Sequence, residues 1–343
     1  MLQSGFFDLS ERLKKLDERD KLLQLNELID WESFRGLLAD SLEKKERKSN
    51  AGRKAKDPVM MFKGLVLQHL YNLSDEELEF QIRDRYTFCR FLGLSPEATI
   101  PDANTFWDFR EALSEEDVMK DLFEHFGQQL DTQGYKARKG QMVDASFVDV
   151  PRQRNSREEN QQIKAGELPA SFQDNPNKLR QKEVDARWTK KNQETHYGYK
   201  DHVSADNGHK LIRDYEVTSA SVHDSQVFED ILSDNTAKDV WADSAYRSEE
   251  HEQGLKNAGY RSHVHKKGTR GRPLSERAQR ANKKKSKIRV RVEHIFGSIT
   301  NEQHGLFVRT LGLVRAKSKI GMINLVYNMR RFIFLRRRDL SVI

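Results

Sequence analysis

The chain lacks most of what would mark it as secreted or membrane-bound. It has one cysteine, Cys89, in 343 residues, so neither an internal disulfide nor a multi-cysteine zinc site is available. No stretch approaches the roughly 20 uncharged residues that a bilayer span requires. The opening MLQSGFFDLSERLKK lacks the basic-then-apolar layout of a signal peptide, which makes the cytoplasm the expected location, with no membrane partner. None of the eleven histidines sits in an H-E-x-x-H or similarly spaced cluster, so a histidine zinc site of that kind is not expected.

Charge is abundant and unevenly placed. Apolar types make up 36% of the residues and charged types 33%, which still allows one good core in a chain long enough for two domains. The net charge is only +7, yet the run KKERKSNAGRKAK from Lys44 to Lys56 sets seven basic residues against Glu46. Between Lys266 and Arg291 twelve basic residues face Glu276, and the tail adds Arg330, Arg331, Arg336, Arg337 and Arg338. Clustered cations beside balanced segments are the footprint of a phosphate-backbone binder, because each neutralised phosphate releases counterions. A single such run could be no more than a solvated surface; three separate runs favour nucleic acid.

The first 135 residues read as helices. Ser10 can cap a segment with Leu13, Leu16, Leu23 and Leu28 near helical spacing, and Trp31, Phe34, Leu37 and Leu38 extend its apolar side. Pro58 precedes Val59, Phe62, Val66 and Leu70, Ser74 with Glu77 forms a capping box, and Asp102 precedes Phe106, Phe109 and Leu113. Ser114 is expected to open a further helix through Val118, Leu122, Phe126 and Leu130. Short helices with tight turns suit a helix-turn-helix type of unit. From Gly140 the period changes: GQMVDASFVDV has strand character, and HYGYKDHVSAD and HKLIRDYEVTSA pair as a hairpin across Asp206-Asn207-Gly208. A helix over about 224–232, the strand DVWAD, a helix over about 248–257 and a strand over about 260–265 follow. The fold class is therefore α/β, a mixed sheet with flanking helices preceded by an all-α N-terminal domain. The domains expected are 1–135 and 136–343, with a polar insertion at about 151–195 read as partly disordered until bound.

Three carboxylates are candidates for carrying chemistry. Asp144 interrupts a strand between Val143 and Ala145, where a carboxylate is costly unless bonded, paired or bound to a cation. Asp243 ends the run Val240-Trp241-Ala242 at the carboxyl end of a strand, where open sheets hold ligands. Glu293 flanks the stripe Ile288, Val292, Ile295, Phe296 and Ile299 on a helix. Together they could converge on hard divalent cations, which take oxygen ligands. Each also has an ordinary alternative: Asp144 bonding to neighbouring backbone, Asp243 starting a turn at Ser244, Glu293 pairing with Arg289 at i, i+4. Trp188 with Lys190 and Lys191 could stack on a base and hold phosphate, or simply anchor the insertion. Lys283, Lys284 and Lys285 are candidate phosphate contacts, and His223, Asp224 and His294 are weaker candidates for proton transfer.

The motifs MVDASFVDVP, DARWTKKNQETHYGYKDHVSAD, SVHDSQVFED, VWADSAY and RVRVEHIFGSI, in this order, resemble those of DDE transposases of bacterial insertion sequences, most closely the insertion sequence five family. The stretch from Asp57 to Leu94, with IPDANTFWDFREAL, is similar to the helical domain that precedes the catalytic domain in that family. The resemblance implies a ribonuclease H-like fold and assigns Asp144, Asp243 and Glu293 as the catalytic and metal-holding triad. A wider group of such enzymes shows Tyr-x2-Arg-x3-Glu-x6-Lys around the glutamate. Here Arg289 and Glu293 fit, leaving Arg289 as a DNA contact, while Ser286 and Thr300 stand in the outer places. The cofactor implied is a pair of Mg²⁺ ions, with Mn²⁺ as a substitute, clamping the attacking and leaving oxygens of an in-line phosphoryl transfer. The implied partners are double-stranded DNA, namely the terminal inverted repeats of an element and its target, and a second copy of the chain in a homodimer at the nucleoid. A DNA-binding regulator that no longer cuts, or a hydrolytic nuclease without strand transfer, are the alternatives.

Overall fold

A computed structural model describes residue 17 and residues 20–43, 55–95, 97–115, 117–191, 193–233, 235–269 and 271–340. The Ser10 cap with Leu13 and Leu16, and the basic run from Lys44 to Lys54, lie outside the described residues. Two compact units are formed, one by Met1–Leu113 with Met329–Ile343 and one by Ser114–Asn328.

The first unit is helical: α1 (Lys21–Leu28), α2 (Arg35–Glu43), α3 (Pro58–Tyr71), α4 (Asp75–Asp84), α5 (Tyr86–Leu92) and most of α6 (Ala103–Glu115). Local chemistry sets these boundaries. The Asp57 carboxylate accepts from Met60 N at 2.9 Å and Pro58 fills the first turn of α3. Ser74 Oγ accepts from Glu77 N at 3.1 Å, but the Glu77 carboxylate turns to Gln81 rather than back to the cap, so the expected capping box is one-sided. Trp31, Phe34, Phe62 and Phe91 form the aromatic heart of this core, with Trp31 edge-on to Phe91 at 5.5 Å. Ser114 does not open a helix. It is buried inside α6, and α7 (Met119–Thr132) starts only after a turn with Asp117 at φ 52°. Although expected in the N-terminal domain, α7 belongs to the second unit, where Phe123 meets Tyr215 edge-on at 4.9 Å and Lys120 pairs with Asp214.

The second unit is built on a six-stranded mixed sheet. Its strands are β1 (Gln141–Asp149), β2 (Arg187–Lys191), β3 (Glu194–Asp206), β4 (Ile212–Ser219), β5 (Asp239–Trp241) and β6 (Arg261–Ser262). β1 pairs antiparallel with β3 along its whole length and parallel with β5, and β6 lies parallel beyond β5. β2 and β4 share the outer edge of β3, against 194–198 and 199–205 respectively. Three antiparallel strands leading into two parallel ones, ordered β4-β3-β1-β5-β6, is the ribonuclease H-like arrangement. Gly140 opens β1 at φ +76°, and a Cβ there would strike the Asp239 carbonyl and Trp241, so this glycine lets β5 lie close beside β1.

The hairpin from β3 to β4 is present, but its turn spans 207–211. Lys210, not Asn207-Gly208, takes the left-handed conformation at φ 59°, and Asp206 N and Lys210 N close the loop onto Leu211 O and Asp206 O. The helix expected over 224–232 shrinks to a 3-10 turn, Asp224–Val227. The insertion carries three short helices, α8 (Arg157–Ala165), α9 (Ala170–Gln173) and α10 (Pro176–Leu179). Ser156 caps α8 in a two-sided box with Glu159. The buried Glu183 carboxylate accepts from Tyr199 Oη, Asp185 N, Ala186 N and Gly312 N, which ties the insertion to the sheet.

Two further helices pack against the sheet. α11 (Glu249–Asn257) joins Val143, Phe228, Val240, Tyr246 and Val264 in a core cluster through Leu255. α12 (Glu276–Gln303) buries Val292, Ile295, Phe296 and Ile299, each burial contributing about 1.5–3 kcal/mol. The last helix, α13 (Leu313–Leu340), gives its first part to this unit and its arginine-rich end to the helical one.

Candidate active site

Strand register brings the first two carboxylates together. β1 and β5 pair as Gln141 with Val240 and Met142 with Trp241, and the same offset two residues on sets Asp144 level with Asp243. Neighbouring strands lie about 4.8 Å apart, so residues at equal height on a parallel pair are neighbours. β5 and β6 pair as Val240 with Ser262, and His265 N donates to Ala242 O at 3.1 Å. That offset sets His265 level with Asp243. The row Asp144, Asp243, His265 therefore runs from the interior of β1 across the segments that continue β5 and β6 past their carboxyl ends.

α12 adds the third carboxylate. Arg289 Nη1 donates to Asp144 Oδ2 at 2.6 Å and Nη2 to Glu293 Oε1 at 3.1 Å, one guanidinium thus holding acids from sheet and helix. Each ordinary contact foreseen for the triad is also made. Ala145 N donates to Asp144 Oδ1 at 2.9 Å, Ser244 N to Asp243 Oδ1 at 2.6 Å, and Glu293 pairs with Arg289 one turn away. The Arg289–Asp144 pair comes in addition to these bonds.

Burial decides the electrostatics. The Asp144 side chain is 15% exposed, and desolvation pushes its carboxyl up to about 6 while Arg289 opposes that rise; Lys191 also opposes it and Asp243 adds to it. Burial pushes the Tyr246 hydroxyl well up, with the Asp144, Asp224 and Asp243 charges adding to the rise. Burial and the nearby Arg289 hold His265 below its ordinary value, against the pull of Asp243 3.8 Å away. Two buried polar atoms here have no hydrogen-bond partner, Arg289 Nε and the Tyr246 hydroxyl.

These features bear on a cation. Asp144, Asp243 and Glu293 offer only oxygen, the donor set a hard divalent ion takes. As the side chains stand, no group of three or more His, Cys, Asp or Glu among the described residues is placed to hold one. Arg289 instead bridges Asp144 and Glu293. The donor chemistry fits a divalent ion once that fork is released, and the unpartnered Arg289 Nε–H is a donor suited to a phosphoryl oxygen.

The other candidates divide by direction. Lys283 and Lys284 are exposed on α12, whereas Lys285 turns inward and its ammonium donates to Val264 O at 2.9 Å. Trp188, 49% exposed, lies against Tyr197 at 4.8 Å with Arg152 over its face, and Lys190 and Lys191 are exposed on the same strand. Lys191 stands over the Phe147 ring at 5.5 Å. His223 is exposed and bonds Ser225, His294 is exposed on α12, and Asp224 is committed to Lys200 at 2.8 Å.

Sequence reasoning passed over His265 and Tyr246. No local pattern marks His265, because its place beside Asp243 arises only from the β5–β6 register. The inward turn of Lys285 had a signal: 285, 288, 292, 295 and 299 continue one helical stripe.

Two family profiles match the chain. A family profile described as "Transposase DDE domain" matches residues 135–329, and one described as "Transposase domain (DUF772)" matches residues 10–112. The chain is similar to a solved structure, the cryo-electron microscopy structure of the piggyBac transposase synaptic complex with hairpin DNA. The identity is 13% and the TM-score 0.44, over 91% of this chain and 72% of that one.

Proposed function

This chain belongs to the DDE transposase family, and from that premise we propose that it binds the ends of a mobile DNA element, cleaves them and transfers them to target DNA. The observation that supports this reading is the β1–β5 register, which carried two residues past β5 brings Asp243 beside Asp144, with Glu293 joined to Asp144 through Arg289. Motif order points within the family to insertion sequence five. We assign the helical part, residues 1–135, to DNA binding and dimerisation, and residues 136–343 to catalysis, the protein working in the cytoplasm as a homodimer at the nucleoid.

DDE transposases typically use divalent metal ions. In this chain Asp144, Asp243 and Glu293 would hold them, and we propose two Mg²⁺, replaceable by Mn²⁺. When bound, such ions supply Lewis acidity at the scissile phosphate. The remaining work falls to protein groups. Arg289 can exchange its carboxylate partners for a phosphate, which its planar fork fits equally well. Lys283, Lys284, Lys190 and Lys191 can neutralise backbone phosphates, and Trp188 can stack on an exposed base.

Product analysis tests the proposal. DNA carrying the sequences that flank this gene is incubated with the protein and Mg²⁺, and the products are resolved by size. Joined molecules are expected. Nicks and breaks alone would instead indicate a hydrolytic nuclease, and binding with intact DNA a regulator.

A further inference from the structure

The row from β1 across the continuations of β5 and β6 contains one residue that the triad does not use. His265 lies level with Asp243, its Nδ1 3.8 Å from Asp243 Oδ1, and its side chain is only 12% exposed. Its other ring nitrogen, Nε2, is 3.4 Å from Ser286 Oγ, and Ser286 donates in turn to Asn282 O at 3.0 Å. Ser286 is on α12 one turn before Arg289 and two turns before Glu293.

The same stretch of helix is fastened on either side of this contact. Asn282 bonds the backbone of Lys266 twice, accepting from its N at 3.0 Å and donating to its O at 2.9 Å. Lys285 donates to Val264 O at 2.9 Å, and Arg247 donates to the same carbonyl at 3.3 Å. Three side chains from a single turn of α12 thus grip three consecutive residues, Val264, His265 and Lys266, that continue β6. An ammonium half-buried on a backbone carbonyl is costly to place unless its position matters.

We propose that His265 is a positioning residue of the reaction centre. It backs the Asp243 carboxylate and, with Ser286, Lys285 and Asn282, fixes the register of α12 so that Arg289 and Glu293 meet the sheet at the height of Asp144. Lys285 thereby belongs to this seam rather than to the phosphate-contacting lysines beside it. The inference rests on Asp243 acting in the centre as proposed above. A helix of this length could slide against a sheet by fractions of a turn, and a misplacement of about 1 Å in a reacting group can cost roughly a hundredfold in rate.

The test uses the full chain and a fixed DNA substrate. For His265→Leu and Lys285→Met, turnover at saturating DNA is expected to fall about 10–100-fold, the range found when a group supporting a ligand is lost. DNA affinity, its salt slope and Tm should stay close to wild type. Mn²⁺ affinity, read by electron paramagnetic resonance without DNA, should weaken in His265→Leu. His265→Gln, whose amide can reach the Nε2 position and donate to Ser286 Oγ, should recover turnover that His265→Leu lacks, and Lys285→Arg should recover more than Lys285→Met. Wild-type turnover and Mn²⁺ binding in His265→Leu would overturn the proposal. A Lys285→Met salt slope reduced as in Lys284→Ala, with turnover intact, would overturn the place of Lys285 in the seam. Should His265→Leu fail to fold, Ser286→Ala, which removes only a half-buried hydroxyl, takes its place with the same expectations. Asp243→Asn is the control: if it retains activity, the functional reading fails, whereas an inactive Asp243→Asn beside an unaffected His265→Leu defeats this inference alone.

Discussion

Asp144 on β1 is a half-buried acid and Asp201 on β3 a fully buried one in the same sheet, and desolvation raises both. Asp201 is 1% exposed and pushed up to about 7, opposed only in part by Asn324 Nδ2 donating at 3.0 Å. Asp144 rises to about 6 in the company of Arg289, Lys191 and Asp243, charges from three other elements. The difference teaches that a displaced carboxyl is not in itself a sign of function. What separates the two is the surroundings: Asp201 is sealed mid-strand beneath a helix, while Asp144 lies toward the open end of the parallel strands beside unpartnered donors.

The sharpest way to break this comparison is mutational. Asp144→Asn should reduce DNA cleavage by more than about a hundredfold, beyond the loss usual for a merely supporting group, whereas Asp201→Asn should leave it within about threefold. Cleavage of end-labelled DNA measures both, and equal inactivation of two folded variants would erase the distinction. Arg289 is the partner that Asp144 has and Asp201 lacks. Arg289→Gln should lower both turnover and DNA affinity, about tenfold or more in turnover, and Arg289→Lys should recover only part, since an ammonium cannot fork two carboxylates.

Stability sharpens the comparison from the other side. A carboxyl whose folded-state value lies above the unfolded 3.8 favours the native state while protonated, so stability falls as pH rises from about 4 to 6 for Asp144 and from about 4 to 7 for Asp201. In metal-free protein, Asp144→Asn and Asp201→Asn should each be more stable than wild type at pH 8, by roughly 3 and roughly 4 kcal/mol respectively, with the gain vanishing near pH 4. Urea unfolding at the two pH values checks this. The smallest effect is expected at the exposed lysines: Lys283→Ala and Lys284→Ala should each lower the salt slope of DNA binding by about 0.9.

The placements that make these carboxylates candidates are legible in the sequence. An aspartate inside an apolar strand, another at a strand end and a glutamate flanking a helical stripe are each visible as costly or directed placements. What stayed hidden was long-range. The meeting of His265 with Asp243 depends on how β5 and β6 align, and local patterning does not encode that. Residues 151–195 looked unstructured because their anchor is polar: Glu183 is a buried carboxylate satisfied by four donors, which composition cannot tell from a solvated one. Lys285 shows the same limit on a smaller scale, since a run of three lysines states charge but not direction. At Ser114 the residue type favoured a cap, and packing of the α6 core overruled it.

One experiment reaches the triad most directly. Wild-type protein and Asp243→Asn are each given DNA bearing the ends that flank the gene, with Mg²⁺ or with excess chelator, and new 3′ ends and joined strands are counted. Products should form only with wild type and Mg²⁺. Undiminished product from Asp243→Asn, or from wild type in chelator, would show that these three carboxylates do not perform the reaction.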